Sequence, residues 1–188
     1  DFIPKQVRAM AVPYFAFLLS LAVFDVLFET MRGHHPIFQN ARDAAWRLVV
    51  GGSELRGPFT IFWFVPCLFF ARILQNAIGQ SLPDPRDWRW ALIGFVMLGF
   101  GVWIGQASDF SPLGLLSVPV VVALLWVGAL WRSLTSDRWL MVLAVVAVLV
   151  ALLCAQRGGL PPLNMKVGDY GWPGVSLVAA VALSLAAC

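Results

Sequence analysis

Residues 10–29 read MAVPYFAFLLSLAVFDVLFE, twenty positions with no basic residue and with acids only at Asp25 and Glu29. A helix that crosses a bilayer needs about 20 mostly apolar residues, and this stretch supplies them. It follows a basic segment, Lys5-Gln6-Val7-Arg8. That order imitates a secretory signal peptide. No small-residue cleavage site follows, however, and the run leads into Asp25, Glu29 and Arg32. The stretch is read as a membrane span that stays in the protein.

The rest of the chain repeats this character. Further spans are predicted at about 58–76, 90–107, 113–132 and 139–156, and a sixth starts near Trp172 with too few residues left to cross. Composition agrees: 13 basic and 10 acidic side chains make 12% charge, where a soluble domain carries about 25%. Hydrophobic residues are 60% of the 188, and mean hydropathy is +0.82. A soluble domain of this size has too much wet surface for such a composition. The low charge also excludes disorder and leaves no basic stripe for nucleic acid. Cys67, Cys154 and Cys188 are scattered in apolar stretches and imply neither a disulfide framework nor a metal site. The expected fold is all-α: a polytopic transmembrane bundle of five full spans plus a truncated sixth, with residues 1–188 as one membrane domain. The start at Asp1 and the stop at Cys188, inside an apolar run, read as cuts from a longer chain.

The connections differ in kind. After His35-Pro36, the residues Phe38, Ala41, Ala45, Leu48 and Val49 share one helical face. Gln39, Asn40, Arg42, Asp43 and Arg47 take the other, with Trp46 at the boundary. That pattern predicts an amphipathic helix lying in the membrane interface. Pro83-Asp84-Pro85-Arg86 predicts a turn, and the Gly- and Pro-rich segment 157–174 an irregular connection. Lys5, Arg8, Arg72, Arg86, Arg89, Arg132 and Arg138 are assigned to the N-terminal face. Once the interfacial helix and its flank are set aside, Arg32, Arg157 and Lys166 remain opposite. The bias favours a cytoplasmic N-terminal end.

Polar groups at membrane depth are the first place to look for function. Tyr14, Leu18, Leu21, Asp25 and Glu29 lie on one face of the first span. A carboxylate there costs a few kcal/mol unless paired or hydrated. Asp25 is therefore either a substrate or proton contact facing the bundle, or an interfacial acid reaching headgroup water. His34-His35 is read as a solvated pair before a proline rather than as a base or metal ligand. Gly94, Gly99, Gly101 and Gly105 include a GxxxG, which serves packing within the bundle or dimerisation. Trp88, Trp90, Trp131, Trp139 and Trp172 fall near span ends as an aromatic belt.

Three segments, taken in order, carry a family likeness. Lys5-Gln6-Val7-Arg8-Ala9-Met10-Ala11-Val12-Pro13-Tyr14 resembles the basic approach to a span in the membrane acyltransferase 3 family. Gly57-Pro58 followed by Phe62-Trp63-Phe64-Val65-Pro66-Cys67-Leu68-Phe69 resembles a helix of its sugar O-acetyltransferase branch, the fucose 4-O-acetylase-like proteins. Asn164-Met165-Lys166-Val167-Gly168-Asp169-Tyr170-Gly171-Trp172-Pro173 is similar to a loop of the same branch. The resemblance implies part of a ten-helix enzyme of a bacterial inner membrane. Such an enzyme moves an acyl group, usually acetyl from acetyl-CoA as co-substrate, onto a hydroxyl of a carbohydrate or lipid-linked glycan. It implies a catalytic His upstream of Asp1, so His34 and His35 do not inherit that role. It assigns Lys5 and Arg8 to acyl-donor binding. Lys in the first position attracts phosphate as a point charge without a bidentate fork. Physically, the same pair serves equally as a topogenic anchor. Trp63 and Pro66 either shape a helix lining the substrate site or mark a packing kink. A small polytopic transporter or carrier of glycan or lipid substrates, using Asp25 and the glycine-rich span, is the alternative from another class.

Overall fold

The first helix, α1 (Phe2–Met31), carries a π-turn at Val7–Ala11. Its cause lies two residues on. Pro13 has no N–H and its ring crowds the carbonyl four residues back, so the ladder loosens just upstream. Beyond the proline the predicted stripe holds. Tyr14 and Leu18 are buried and Leu21, Asp25 and Glu29 are half-buried, while Phe15, Phe17, Leu19, Val23 and Phe24 are exposed.

The computed structural model describes residues 2–33, 37, 40–55, 57–108, 110–134 and 164–171, and single positions at 142, 145, 148, 149, 176–178 and 181. Most of those residues are helical, with no strand among them beyond an isolated Asn164–Asp169 bridge. Helix α2 (Ala41–Val50) lies after Asn40, whose side chain accepts a hydrogen bond from the Asp43 backbone N–H at 2.8 Å. A 3-10 stretch, Gly57–Trp63, leads into α3 (Phe64–Ser81). Helices α4 (Trp88–Ala107) and α5 (Val118–Leu134) complete the set. Four segments are long and apolar enough to cross a membrane: Phe2–Met31, Phe59–Ser81, Trp88–Ala107 and Pro112–Leu134. They run alternately up and down. The near face therefore carries Phe2, residues 82–87 and Leu134, and the far face carries the described residues 32–33, 37, 40–55, 57, 108, 110–117 and 164–171. The expected spans at 139–156 and from Trp172 lie outside the described residues, apart from the single positions named above, as do His34 and His35.

Several boundaries differ from expectation. The α2 helix starts at Ala41 because Asn40 caps it. Its buried side is Ala44 and Leu48, leaving Ala45, Trp46 and Val49 exposed where lipid would lie. Pro66 stands in the first turn of α3, where its missing N–H has no intrahelical partner to lose. It starts a helix rather than kinking one. The α3 helix runs past residue 76 to Ser81 and stops because Leu82 precedes Pro83 and is forced out of the helical region (φ −131°, ψ 78°). The fourth span opens with a 3-10 turn, Pro112–Ser117, in which Leu113 (φ 51°) and Gly114 (φ 70°) are left-handed, and becomes α-helical only at Val118. Pro83–Arg86 is the predicted turn, with Asp84 Oδ1 accepting from the Arg86 N–H and Asp87 capping α4.

The glycines of α4 serve close packing. A Cβ at Gly94 would stand 2.9 Å from the Trp126 ring of α5, and one at Gly101 would run into Val120. The Gly101–Gly105 pair is thus occupied within the bundle, and Gly99 faces open space.

Candidate functional site

Three irregular segments meet on the far face. The first is Gly51–Leu55, the second Ser111–Ser117, and the third Asn164–Gly171. Ser53 and Ser111 exchange hydrogen bonds: the Ser53 N–H donates to the Ser111 carbonyl and the Ser111 N–H to Ser53 Oγ, both at 3.1 Å. Lys166 Nζ donates to the Leu55 carbonyl at 2.6 Å, and Ser117 Oγ donates to the Met165 carbonyl. Ser111, Ser117 and Leu55 have no exposed surface. Non-helical backbone at a membrane boundary must find its partners inside the protein, and here the three segments supply them to one another. Tyr170 packs on Val120 and Leu177, and its hydroxyl donates to Ser117 Oγ at 3.5 Å. Burial pushes the Tyr170 phenol up, against the pull of that hydrogen bond, so it remains a donor at neutral pH.

Beside this cluster, Tyr14 and Leu18 of α1 pack with Leu55 and Phe59, and Phe62 meets the Tyr14 ring edge-on at 6.5 Å. An apolar crevice of about 110 Å³ opens between α1 and α3, walled by Met10, Tyr14, Phe15, Pro66, Phe69 and Leu113. Tyr14 Oη is buried and makes no hydrogen bond among the described residues.

A second cavity, of about 340 Å³, lies on the near face, where Arg72, Gln75 and Asn76 of α3 face Pro83, Trp90 and Trp126. Hydropathy does not reveal it. Arg72 was expected at a membrane boundary, but the continuation of α3 to Ser81 puts it close to the middle of the Phe59–Ser81 span. The signal is present in the sequence: Arg72, Gln75, Asn76 and Gly79 fall at i, i+3, i+4 and i+7.

The expected site residues separate into two places. Lys5 and Arg8 are exposed near the start of α1, Arg8 within the π-turn. Asp25 is about 25 Å further along the same helix, where its Oδ2 accepts from the Ile37 N–H at 3.0 Å. That bond ties down the connection after α1. Trp63 ends the 3-10 stretch on the far face and packs against the buried cluster to which Cys67 and Val118 belong. Lys5 and Arg8 therefore lie near one face, and Asp25 and Trp63 near the other.

These features define the class: an all-helical chain with four helices fit to cross a membrane, which is the composition of an integral membrane protein. No family model, curated protein or solved structure matches the chain.

Proposed function

We propose that the chain is part of an O-acyltransferase of a bacterial inner membrane. It would move an acyl group, in the simplest case acetyl, from acyl-CoA to a hydroxyl of a carbohydrate or lipid-linked glycan. One observation carries this reading beyond the sequence likeness. Parts of the three segments that bear the likeness, distant in the chain, share one neighbourhood, although Lys5 and Arg8 at the start of the first lie at the near face. Tyr14 and Pro66 wall the same crevice, and Lys166 holds the Leu55 carbonyl beside Tyr14 and Phe59. Segments that serve one site are expected to converge.

In this reading a general base takes the proton of the acceptor hydroxyl, and the oxygen attacks the thioester carbonyl. The tetrahedral oxyanion then collapses to the ester and releases the CoA thiol, which takes up a proton. The resemblance puts the base on a His upstream of Asp1. Lys5 and Arg8, exposed at the near face, are accessible to a phosphorylated acyl donor. A carrier is less well served: the Asp25 carboxylate holds the Ile37 N–H, and Gly94, Gly101 and Gly105 are taken up by packing.

In the full-length protein, Arg8→Ala is expected to lower acetyl transfer by about ten- to a hundred-fold, the loss of one charge-assisted contact. Transfer of radiolabelled acetyl from acetyl-CoA to membrane glycan measures it. Unchanged transfer together with unchanged acetyl-CoA affinity would remove Arg8 from the mechanism. The 188-residue chain by itself is expected to show no turnover, and measured turnover would remove the requirement for the upstream His.

A further inference from the structure

The near-face cavity contains none of the residues that carry the acyltransferase likeness, yet it holds the most conspicuous charge in the membrane-crossing part of the chain. Arg72 stands about 13 Å along α3 from Ser81, nine residues at 1.5 Å each, and is exposed to the cavity that it lines. A guanidinium at such a depth is costly unless paired or hydrated, and by default marks a site. Among the described residues Arg72 makes no ion pair and no hydrogen bond, and the cavity lining includes no acid. Gln75 and Asn76, one turn on, line the same space. The two indoles are already committed: Trp90 Nε1–H donates to the Leu82 carbonyl and Trp126 Nε1–H to the Pro85 carbonyl, each at 2.9 Å. Their rings are left as apolar wall. One fixed cation and two amides, without a competing carboxylate, suit a ligand group that is anionic and rich in acceptors. The volume of about 340 Å³ lies within the range of small-molecule sites.

We propose that this cavity binds the phosphate group of a ligand entering from the near face. Arg72 pairs with the phosphate oxygens, Gln75 and Asn76 donate to them, and Trp90 and Trp126 flank the ligand's apolar part. Phosphate of this kind comes from an anionic phospholipid headgroup or from a soluble nucleotide-type carrier. The site stands whether or not the chain transfers acyl groups.

The test uses the full-length protein in a maltoside detergent, which carries no phosphate, with phosphatidylglycerol or coenzyme A titrated in separately. Unfolding temperature and tryptophan fluorescence report binding. One probe is expected to bind saturably: phosphatidylglycerol marks the lipid source and coenzyme A the soluble one. Arg72→Gln is expected to weaken that binding at least about ten-fold, and Asn76→Leu, which removes an amide donor at nearly constant shape while keeping the charge, to weaken it as well. Arg89→Gln, which removes an exposed charge on the same face, is expected to leave it unchanged. The proposal is overturned if neither probe binds, if Arg72→Gln binds as the wild type does, or if Arg89→Gln loses as much. Should Arg72→Gln fail to fold, Asn76→Leu decides, and unchanged affinity there overturns the site. Coenzyme A binding that Arg72→Gln leaves unchanged fails this site alone, and acetyl transfer that Arg8→Ala leaves unchanged fails the donor assignment alone, so the two readings are distinguishable.

Discussion

Gly52→Ala should be the most damaging single methyl group added at any described glycine, costing at least about 3 kcal/mol of stability. Gly52 has φ +53°, a conformation that side chains resist. Its added Cβ would land on the Ser111 carbonyl oxygen, with the Leu113 and Gly114 nitrogens 2.8 Å away. All three obstacles are backbone, so no rotamer change relieves them. The surrounding turn is itself left-handed at Leu113 and Gly114, and Ser53 and Ser111 are hydrogen-bonded across the contact. To admit the methyl group the two segments must part and leave those buried polar groups unpaired. Reversible unfolding in mixed micelles measures the loss. Gly99→Ala is the control, since it meets nothing within 4 Å and improves helix propensity. Equal stability of the two variants would mean that segments 51–55 and 111–117 are not in contact.

The second large effect is expected at Gly105. It abuts Gly168 backbone to backbone: a Cβ on Gly105 would meet the Gly168 carbonyl oxygen, and one on Gly168 would stand 2.7 Å from the Gly105 Cα. Gly105→Val should therefore lift the 164–171 segment off the end of α4, at a cost of about 3 kcal/mol. The damage has a local signature. Displacing Gly168 pulls Met165 from Ser117 Oγ and Lys166 from the Leu55 carbonyl, so amide exchange should rise at 53–55 and 111–117 as well as at 164–171. Faster exchange restricted to the end of α4 would show that the loop is held by other contacts.

Much of this architecture is legible in local sequence. The first span's stripe from Tyr14 to Glu29 is the face turned to the bundle, because helical periodicity alone decides which side chains share a side. The turn at 83–86 is equally local, written in two prolines and an aspartate. The end of α3 is not legible from hydropathy. The apolar run fades near residue 76, but Gln75, Asn76 and Gln80 tolerate a helix and only Pro83 forbids one, so the helix outlasts its own hydrophobicity. Reading that proline as the stop would have placed Arg72 deep and revealed the near-face cavity. The far-face cluster carries no local sign. Ser111, Ser117 and Lys166 are ordinary polar residues until chains 48 to 111 residues apart are brought together. Lys5, Arg8, Asp25 and Trp63 are candidates by type and position, and their separation to opposite faces follows from helix length.

The bond from Lys166 to the Leu55 carbonyl also sets an order in time. Synthesis proceeds from the N-terminus, and neighbouring spans can pack as they emerge. When the ribosome has delivered Leu134, the segments at 51–55 and 111–117 already exist, but their third partner does not. Ser117 Oγ then lacks the Met165 carbonyl, and the Leu55 carbonyl has only the Thr60 hydroxyl. The three-segment cluster closes only when residues 164–171 arrive to cover it. Completion of this cluster therefore waits on a segment made about fifty residues after Ser117, whatever the order in which the helices themselves pack.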